Sequence, residues 1–525
     1  MKSRSILVAV LWMIATTAHA QPGAREADEP GDGPEASAML PIDLDKVIEV
    51  AIRLAPDLAR SRVDRNVARE VAAGERRAQA WTMTSSASYS QNGIADHVEA
   101  PPYSVVEQDT IQGSVGLGRA LPTGGQFSLE VGAQHQHTEY SLLDTLLTQT
   151  AQQANPMQPT DEDAYKTQSS LKATFKQPLS RGFGGIAVAN EKKADLAASE
   201  ATIKAQLAAE DLVKDLVNAY WELAYSSYEV DVRVQALELA KKQEALTHDQ
   251  MRAGTVPSSA INAVTYEIFS REEAKLRSQT ELEQKSMELR RKAGLELSKR
   301  QVVLRPSEPL EIGAEDFDVD EVLARSKIAN RKLATIQIEK KLAEVDVAIA
   351  DDQTKPQVDL TASGAVIGIG DNMSDAFGGI GSRDAYEMTL GVSMSWELSG
   401  AAKHNKDAAV AKRRRLDIDR ADAERQIETQ TALAVKQVAA ARARVALADK
   451  AIAVADENVR AERANFLVAR TTNFNVMQRQ TEYIEARLRR GRAVADFHIA
   501  VAQLQYLSGL LLEQYRVDVR PRGER

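Results

Sequence analysis

The sequence predicts a mixed α and β membrane protein in which one architecture is built twice. Two segments without glycine or proline, 186–253 and 401–490, are each long enough for a helix of roughly 100 Å. Segments that precede them alternate apolar and polar residues with a period of two, which is typical of strands with one apolar face. The same order of helix, strands and long helix recurs along the chain, and this recurrence indicates an internal duplication.

The composition suits long, thin helices and excludes several classes of protein. Of 525 residues, 43% are hydrophobic, 27% are charged and only 5% are aromatic, which excludes a disordered chain. The chain has no cysteine, so disulfides, thiolate metal centres and a lipid-anchored cysteine are excluded. The net charge of −9 argues against nucleic acid as a partner.

The N-terminus has the features of a secretory signal peptide over residues 1–20. Lys2 and Arg4 form its positive region, an apolar stretch follows, and Ala18-His19-Ala20 has the form of a cleavage site. Residues 21–41 are rich in proline, glycine and acidic residues, so we expect a flexible leader there.

Fixed offsets define the two repeats. Gly294 aligns with Gly509 at an offset of 215, and Ser88 aligns with Ser363 at an offset of 275. The first repeat therefore holds about 60 extra residues. We predict a first repeat over 42–310, with a helix, strands at about 82–176 and a helical hairpin at 186–294. A second repeat over 311–512 has a helix, strands at about 357–396 and a helical hairpin at 401–509. A C-terminal tail follows over 513–525.

Each long hairpin needs a turn. Gly254, Thr255 and Val256 interrupt the first helical segment and precede a proline. The offset of 215 places Ala469 opposite Gly254, so we predict the second turn at about 469–473, although no glycine marks it.

The last predicted strand has the strictest alternation. From 386 to 396 every even position is apolar, and Tyr386 and Trp396 bracket the strand as membrane-interface aromatics would. Ten steps of ~3.3 Å, tilted by about 40°, cover roughly 25 Å, the height of an outer-membrane apolar band. A soluble sandwich would produce the same alternation, so the pattern alone leaves both structures open.

Four short motifs occur in order: 44–58 in the opening helix, 121–125 (LPTGG) and 177–184 (QPLSRGFG) in the strand region, and 219–223 (AYWEL) in the first long helix. With them, the chain from 42 to 512 resembles the TolC-like outer-membrane efflux protein family. The resemblance implies a homotrimer in the outer membrane of a Gram-negative bacterium, with a shared β-barrel continuous with a periplasmic α-helical barrel. It also implies a channel without catalysis or cofactor. Such a channel is the exit duct of a tripartite efflux or type I secretion system, with a periplasmic adaptor (membrane fusion protein) and an inner-membrane pump as partners.

The residues alone also require several copies, because four to six strands per chain are fewer than the roughly eight that the smallest outer-membrane barrels need. The predicted hairpin at 110–138 either joins the barrel, giving six strands per chain and eighteen per trimer, or projects outside, leaving four and twelve. Residues 142–160 read as a long exposed loop. The alternative is a soluble periplasmic adaptor-like coiled-coil scaffold, which explains the hairpins but not the alternating strands.

The resemblance assigns functional residues near the two turns. The residues expected to contact the adaptor are Gly254, Thr255, Val256, Ala469, Arg470 and Thr471. Where family members often carry aspartates that ring the tunnel entrance, this chain has Asn475 and Gln478. A ring of amides does not bind cations as a ring of carboxylates does, so we expect weak block by multivalent cations.

Other polar groups carry no predicted chemistry. His135 and His137 share one face of a strand, but no third ligand is near, so we expect a solvated loop or lumen face and no metal site. The basic run at 412–415 is followed by acidic residues, which predicts a salt-bridged helix surface and no nucleic acid. No catalytic constellation stands out, so we do not expect an enzyme.

Overall fold

The computed structural model describes residues 38–100, 103–142, 161–295, 302–313, 317–383 and 385–517. The predicted signal peptide, most of the leader and most of the loop predicted at 142–160 lie outside these ranges. The strands are β1 (Ala38–Ile42), β2 (Thr82–Ala100), β3 (Tyr103–Ala120), β4 (Gln126–Leu142), β5 (Asp161–Pro178), β6 (Val302–Pro306), β7 (Gln357–Gly370) and β8 (Ala385–Ser395). The helices are α1 (Leu44–Leu54), α2 (Pro56–Arg77), α3 (Ala189–Arg252), α4 (Ser259–Lys292), α5 (Val319–Ala329), α6 (Arg331–Gln353), α7 (Met373–Ser382), α8 (Ala401–Leu467), α9 (Asn473–Leu507) and α10 (Leu511–Gln514).

Two long helices, α3 and α8, run the length of the helical region, and shorter helices lie end to end beside them. α2 and α4 both pack on α3, and α6 and α9 both pack on α8. The junctions are tight, because a Cβ on Gly294 would lie 2.5 Å from the carbonyl oxygen of Leu54, and a Cβ on Gly509 would lie 2.9 Å from the Cβ of Ala329. Both glycines have positive φ, so they end α4 and α9 where another helix abuts.

The four helices beside the turns are ordered α4, α3, α9 and α8, and those beside the sheet are ordered α2, α3, α6 and α8. α3 is therefore central in both layers. One edge of the wall consists of α2 and α4, and the other edge consists of α8.

Six strands form one antiparallel sheet within the described residues, in the order β2-β3-β4-β5-β7-β8. The hairpin of β3 and β4 lies inside this sheet and does not project from it, because β3 pairs with β2 and β4 pairs with β5. The Thr123-Gly124-Gly125 turn joins β3 to β4, with Gly124 at a φ of 87°. Of the two alternatives left open by the sequence, the structure therefore has the one with six strands per chain in this sheet.

A compact junction joins the short strands to the middle of α3. β1 pairs in parallel with β6, from Ala38–Val302 to Ile42–Pro306. Strand β1 begins inside the segment 21–41 that was predicted to be a flexible leader, so that prediction is wrong for 38–41. The reason is that the backbone of these residues is paired with β6, and Tyr220 of α3 donates a hydrogen bond to the carbonyl of Ile42 at 3.2 Å.

None of the described helices is apolar over enough of its length to cross a membrane.

Candidate channel wall, hairpin tips and entrance

The sheet has one polar and one apolar face. Side chains from all six strands line a single cavity on the polar face, so this face is concave; they include Ser86, Gln112, Glu130, Gln168, Ser170, Lys172 and Glu387. The other, convex face carries exposed apolar side chains: Met83, Ile111, Val115, Leu129, Val131, Met388, Leu390 and Met394. This alternation is the pattern of a strand wall with a polar interior and an apolar exterior.

Aromatic residues lie at the ends of the two outer strands. Trp81 precedes β2 and packs edge-on against Phe127, with ring centroids 6.2 Å apart. Trp396 follows β8 and Tyr386 is its second residue, and their exposures are 65% and 80%. Both therefore lie on the exposed apolar face, as membrane-interface aromatics would need to.

The strand ends are staggered across the sheet. Following the pairs from strand to strand, Thr82 at the start of β2 is in register with Thr389 of β8. β8 continues to Ser395, six residues further in that direction. A stagger of about one residue per strand corresponds to strands tilted by roughly 35–40°, the range found in closed barrels.

Each hairpin turn contains a residue with positive φ after the long helix, but the two residues differ. Gly254 follows α3 with a φ of 74°, and Ala469 follows α8 with a φ of 56°. The second turn, between Leu467 and Asn473, is at the position predicted from the first. Thr255 and Arg470 are exposed, as are Gly254 and Ala469. Val256 and Thr471 are half-buried, and Thr471 donates a hydrogen bond to Glu462.

Asn475 and Gln478 lie in the first two turns of α9, and both are exposed. The Asn475 side chain donates to Thr471 at 3.0 Å, and the Gln478 side chain donates to Glu482 at 3.4 Å. Arg479 forms an ion pair with Glu482 at 2.8 Å, so the carboxylate that Gln478 contacts is already partly neutralised.

A buried polar layer that the sequence did not reveal connects the two hairpins near their tips. Gln243 of α3 donates to Asn473 of α9 at 2.7 Å, and Asn473 donates to Thr247 at 2.9 Å. All three side chains are buried. Gln250 adds a bond to the carbonyl of Phe466 at 2.8 Å. Single polar residues in long helices give no signal of pairing across 230 positions, so only the structure identifies this layer.

The middle of α3 buries aromatic and acidic side chains. Trp221 stacks on His498 with ring centroids 3.6 Å apart, and burial lowers the pKa of His498. Glu210 lies 3.3 Å from Arg331 at the start of α6. Burial raises the pKa of the Glu210 carboxyl to about 7, although the charge of Arg331 opposes the shift.

The two histidines have a different position from the one expected. His135 and His137 lie on the convex face together with Leu129 and Val131, not on a solvated loop or on the concave face. His135 bonds to Thr167 at 2.9 Å, and His137 stacks on Tyr165 at 4.6 Å. No group of three or more histidine or acidic side chains among the described residues could hold a metal.

Comparison with known proteins gives a clear result for the fold. No protein-family model and no curated protein sequence matches the chain. Among solved structures, the outer membrane protein VceC from Vibrio cholerae aligns with a TM-score of 0.65 at 14% identity, over 89% of this chain and 96% of that chain. The CmeC outer membrane channel from Campylobacter jejuni aligns with a TM-score of 0.66 at 11% identity, over 89% and 85%. The open state of the MtrE outer membrane channel from Neisseria gonorrhoeae aligns with a TM-score of 0.63 at 14% identity, over 89% and 89%.

The chain therefore has the fold of outer-membrane channel proteins. More particularly, it has the TolC-like outer-membrane factor fold, and the resemblance in its sequence is confirmed at the level of the fold.

Proposed function

We propose that the chain is the outer-membrane channel of an efflux assembly in a Gram-negative bacterium, secreted to the periplasm by its signal peptide. The observation that carries this proposal is the sheet with a polar concave face and an apolar convex face, joined directly to helices of roughly 100 Å. The concave face lines the pore, the convex face meets lipid, and the helices extend the duct through the periplasm.

The assembly is a homotrimer in which the two edges of the helical wall meet. One edge exposes Val63, Val67 and Val71 of α2, at a spacing of four, and Tyr266 and Phe269 of α4. The other edge, α8, exposes Leu433, Ala440, Leu447, Val454 and Ala461, at a spacing of seven. Apolar residues at these spacings form coiled-coil seams, so α8 of one copy packs on α2 and α4 of the next.

The sheet closes in the same way. β2 and β8 each pair on one side only within the described residues, and edge strands of this length are normally covered. Pairing β8 of one copy with β2 of the next gives an eighteen-stranded barrel, whose tilt agrees with the observed stagger. A barrel of this size leaves a water-filled lumen.

The hairpin tips form the end that meets a periplasmic adaptor, and through it an inner-membrane pump of an efflux or type I secretion system. Gly254, Thr255, Ala469 and Arg470 are exposed there, as a docking surface requires. The entrance beside them is lined by Asn475 and Gln478 and carries no unpaired carboxylate at those positions. It is therefore blocked weakly by multivalent cations.

Membrane fractionation and single-channel recording test this function. We expect the full chain in the outer-membrane fraction, and the purified protein should form stable water-filled channels in planar bilayers. Cobalt hexammine on the tip side should have little effect on wild-type channels, and Gln478→Asp should make them sensitive. Recovery in the aqueous periplasmic fraction, without channel activity, would instead support the adaptor-like scaffold. Strong block of the wild-type channel would contradict the entrance proposal alone.

A further inference from the structure

Helix α7, in the connection between β7 and β8, lies against the convex face of the sheet. Ser169 of β5 donates a hydrogen bond to the carbonyl of Ala376 at 2.7 Å, and Ala376 is fully buried. A Cβ on Gly368 would lie 1.9 Å from the same oxygen, so the helix rests directly on the backbone of β7. Asn372 caps the helix by accepting from the backbone N–H of Asp375 at 3.0 Å.

This position is where the apolar surface of β5 and β7 stops. One row of the convex face reads Val115, Val131, Leu171 and Val366 across β3, β4, β5 and β7. The next two rows outward on β5 and β7 read Ser169, Thr167, Gly368 and Gly370. On β3 the apolar surface continues at the same level, with Ile111 58% exposed. The belt therefore has a polar gap that runs from His135 of β4 across β5 and β7, and α7 covers its β5 and β7 part.

Two sides of α7 flank its contact with β7; one is apolar, and the other carries Asp375. Met373 and Phe377 are one turn apart, and they are 46% and 43% exposed. Ala376 and Gly379, which face the sheet, are buried. A short helix that packs on the protein through small residues and exposes an apolar side is suited to lie at a membrane surface.

We propose that α7 binds outer-membrane lipid through Met373 and Phe377, and so completes the lipid-facing belt over β5 and β7. This inference rests on the proposed function, since it requires the convex face of the sheet to be in the bilayer. The occupant is lipid because Met373 and Phe377 are exposed next to the apolar row that ends at Val366, and at the level where Ile111 of β3 is also exposed.

Spin labels at single cysteines test the proposal, because the native chain has no cysteine. We would label Phe377→Cys, with Met388→Cys on the convex face and Thr389→Cys on the concave face as references. The protein would be reconstituted in vesicles of phosphatidylethanolamine and phosphatidylglycerol. Accessibility to oxygen and to water-soluble nickel complexes would be compared. The oxygen-to-nickel ratio at 377 should match that at 388 and exceed that at 389 by roughly tenfold, since the two faces meet lipid and water.

A second pair of variants tests the contact between α7 and the backbone of β7 at Gly368. Gly368→Ala should displace α7 and lower the ratio at 377, because the new Cβ meets the Ala376 carbonyl. Gly364→Ala, on the same strand and face with open space around it, should leave the ratio unchanged. A ratio at 377 like that at 389, or a label shielded from both reagents by another copy, would overturn the proposal. A water-exposed label at 388 would instead overturn the proposed function itself.

Discussion

Helices α3 and α8 have nearly the same length, 64 and 67 residues, and the same place in their hairpins, yet they are buried very differently. α3 packs on helices from both sides and buries large or polar side chains such as Tyr220, Trp221 and Glu210. α8 buries mainly alanine and valine along one seam, with the large Phe466 only at its end near the tip. At the offset of 215 that relates the two hairpins, the buried Glu210 corresponds to the exposed Arg425.

The contrast teaches which surface of the chain needs another copy. α3 exposes no row of large apolar side chains, because its neighbours within the chain already cover its apolar residues. α8 has a complete second line at a spacing of seven, from Leu433 to Ala461, and all of it is exposed. A second seam at this period is useful only to a helix with a second partner.

The largest expected effect is therefore on α8. Leu447→Glu places a carboxylate in the proposed seam between copies, and an unpaired charge there should cost about 3 kcal/mol per interface. We expect the trimer to dissociate, as measured by native mass spectrometry in detergent. Ala446→Glu is the matched control, because this exposed residue lies about 100° around the helix from Leu447. Equal dissociation by both variants, or by neither, would contradict this assignment of the seam.

The next effect concerns the layer that connects the two hairpins. Asn473→Ala leaves the buried Gln243 amide without its partner and removes one of the two bonds of Thr247, which keeps its bond to the Gln243 carbonyl; the change should cost about 2–3 kcal/mol. We expect a lower melting temperature of the helical circular-dichroism signal and faster amide exchange at the tips. Asn475→Ala, two positions away and exposed, should change stability by less than about 0.5 kcal/mol. A similar loss from both variants would mean that the buried layer has no special role.

The buried carboxylate of α3 should make stability depend on pH. The pKa of Glu210 is about 7 in the folded chain, above its ordinary value near 4.5. Between these values the folded state holds a proton that the unfolded state releases, so this group favours folding below about pH 4.5 and its contribution is lost as pH rises to about 7. Glu210→Gln should gain about 2 kcal/mol over the wild type when the pH rises from 5 to 8.

Melting temperatures of both proteins at the two pH values measure this gain. Glu273→Gln, whose side chain is 71% exposed, is the control and should follow the wild type at both values. If the melting temperature of Glu210→Gln also follows that of the wild type at both pH values, the ion pair with Arg331 keeps the Glu210 carboxylate charged in the folded chain.

Much of this architecture was predictable because its signals are local. The predicted helix 186–253 is observed as α3 (Ala189–Arg252), and the period-2 alternation identified the two faces of β8 correctly. The position of the turn at Ala469 followed from an offset rather than from a turn residue. These features depend on residues a few positions apart, or on their recurrence.

Features that depend on distant residues were missed. Gln243 and Asn473 are ordinary helix-surface residues until α3 and α9 are brought together. α7 was not predicted because glycine at 378, 379 and 381 disfavours a helix, and contact with Gly368 and Ser169 overrides that preference. The sequence predicts a leader where β1 lies, because the pairing of β1 with β6 joins segments about 260 residues apart. The sequence predicts a solvated loop or lumen face for His135 and His137, whereas the pairing of β4 with β5 places them on the convex face.

The smallest expected effect separates the two hairpin tips. Ala469 has a φ of 56°, where a Cβ is strained, whereas Gly254 has a φ of 74° without such strain. Ala469→Gly should stabilise its tip, and Gly254→Ala should destabilise the other, each by about 1 kcal/mol. Because a Cβ on Gly254 would meet open space, the second change tests backbone strain alone. Amide exchange at each tip should slow in the first variant and quicken in the second. A change of the same sign in both would mean that contacts at the tip, and not backbone conformation, decide its stability.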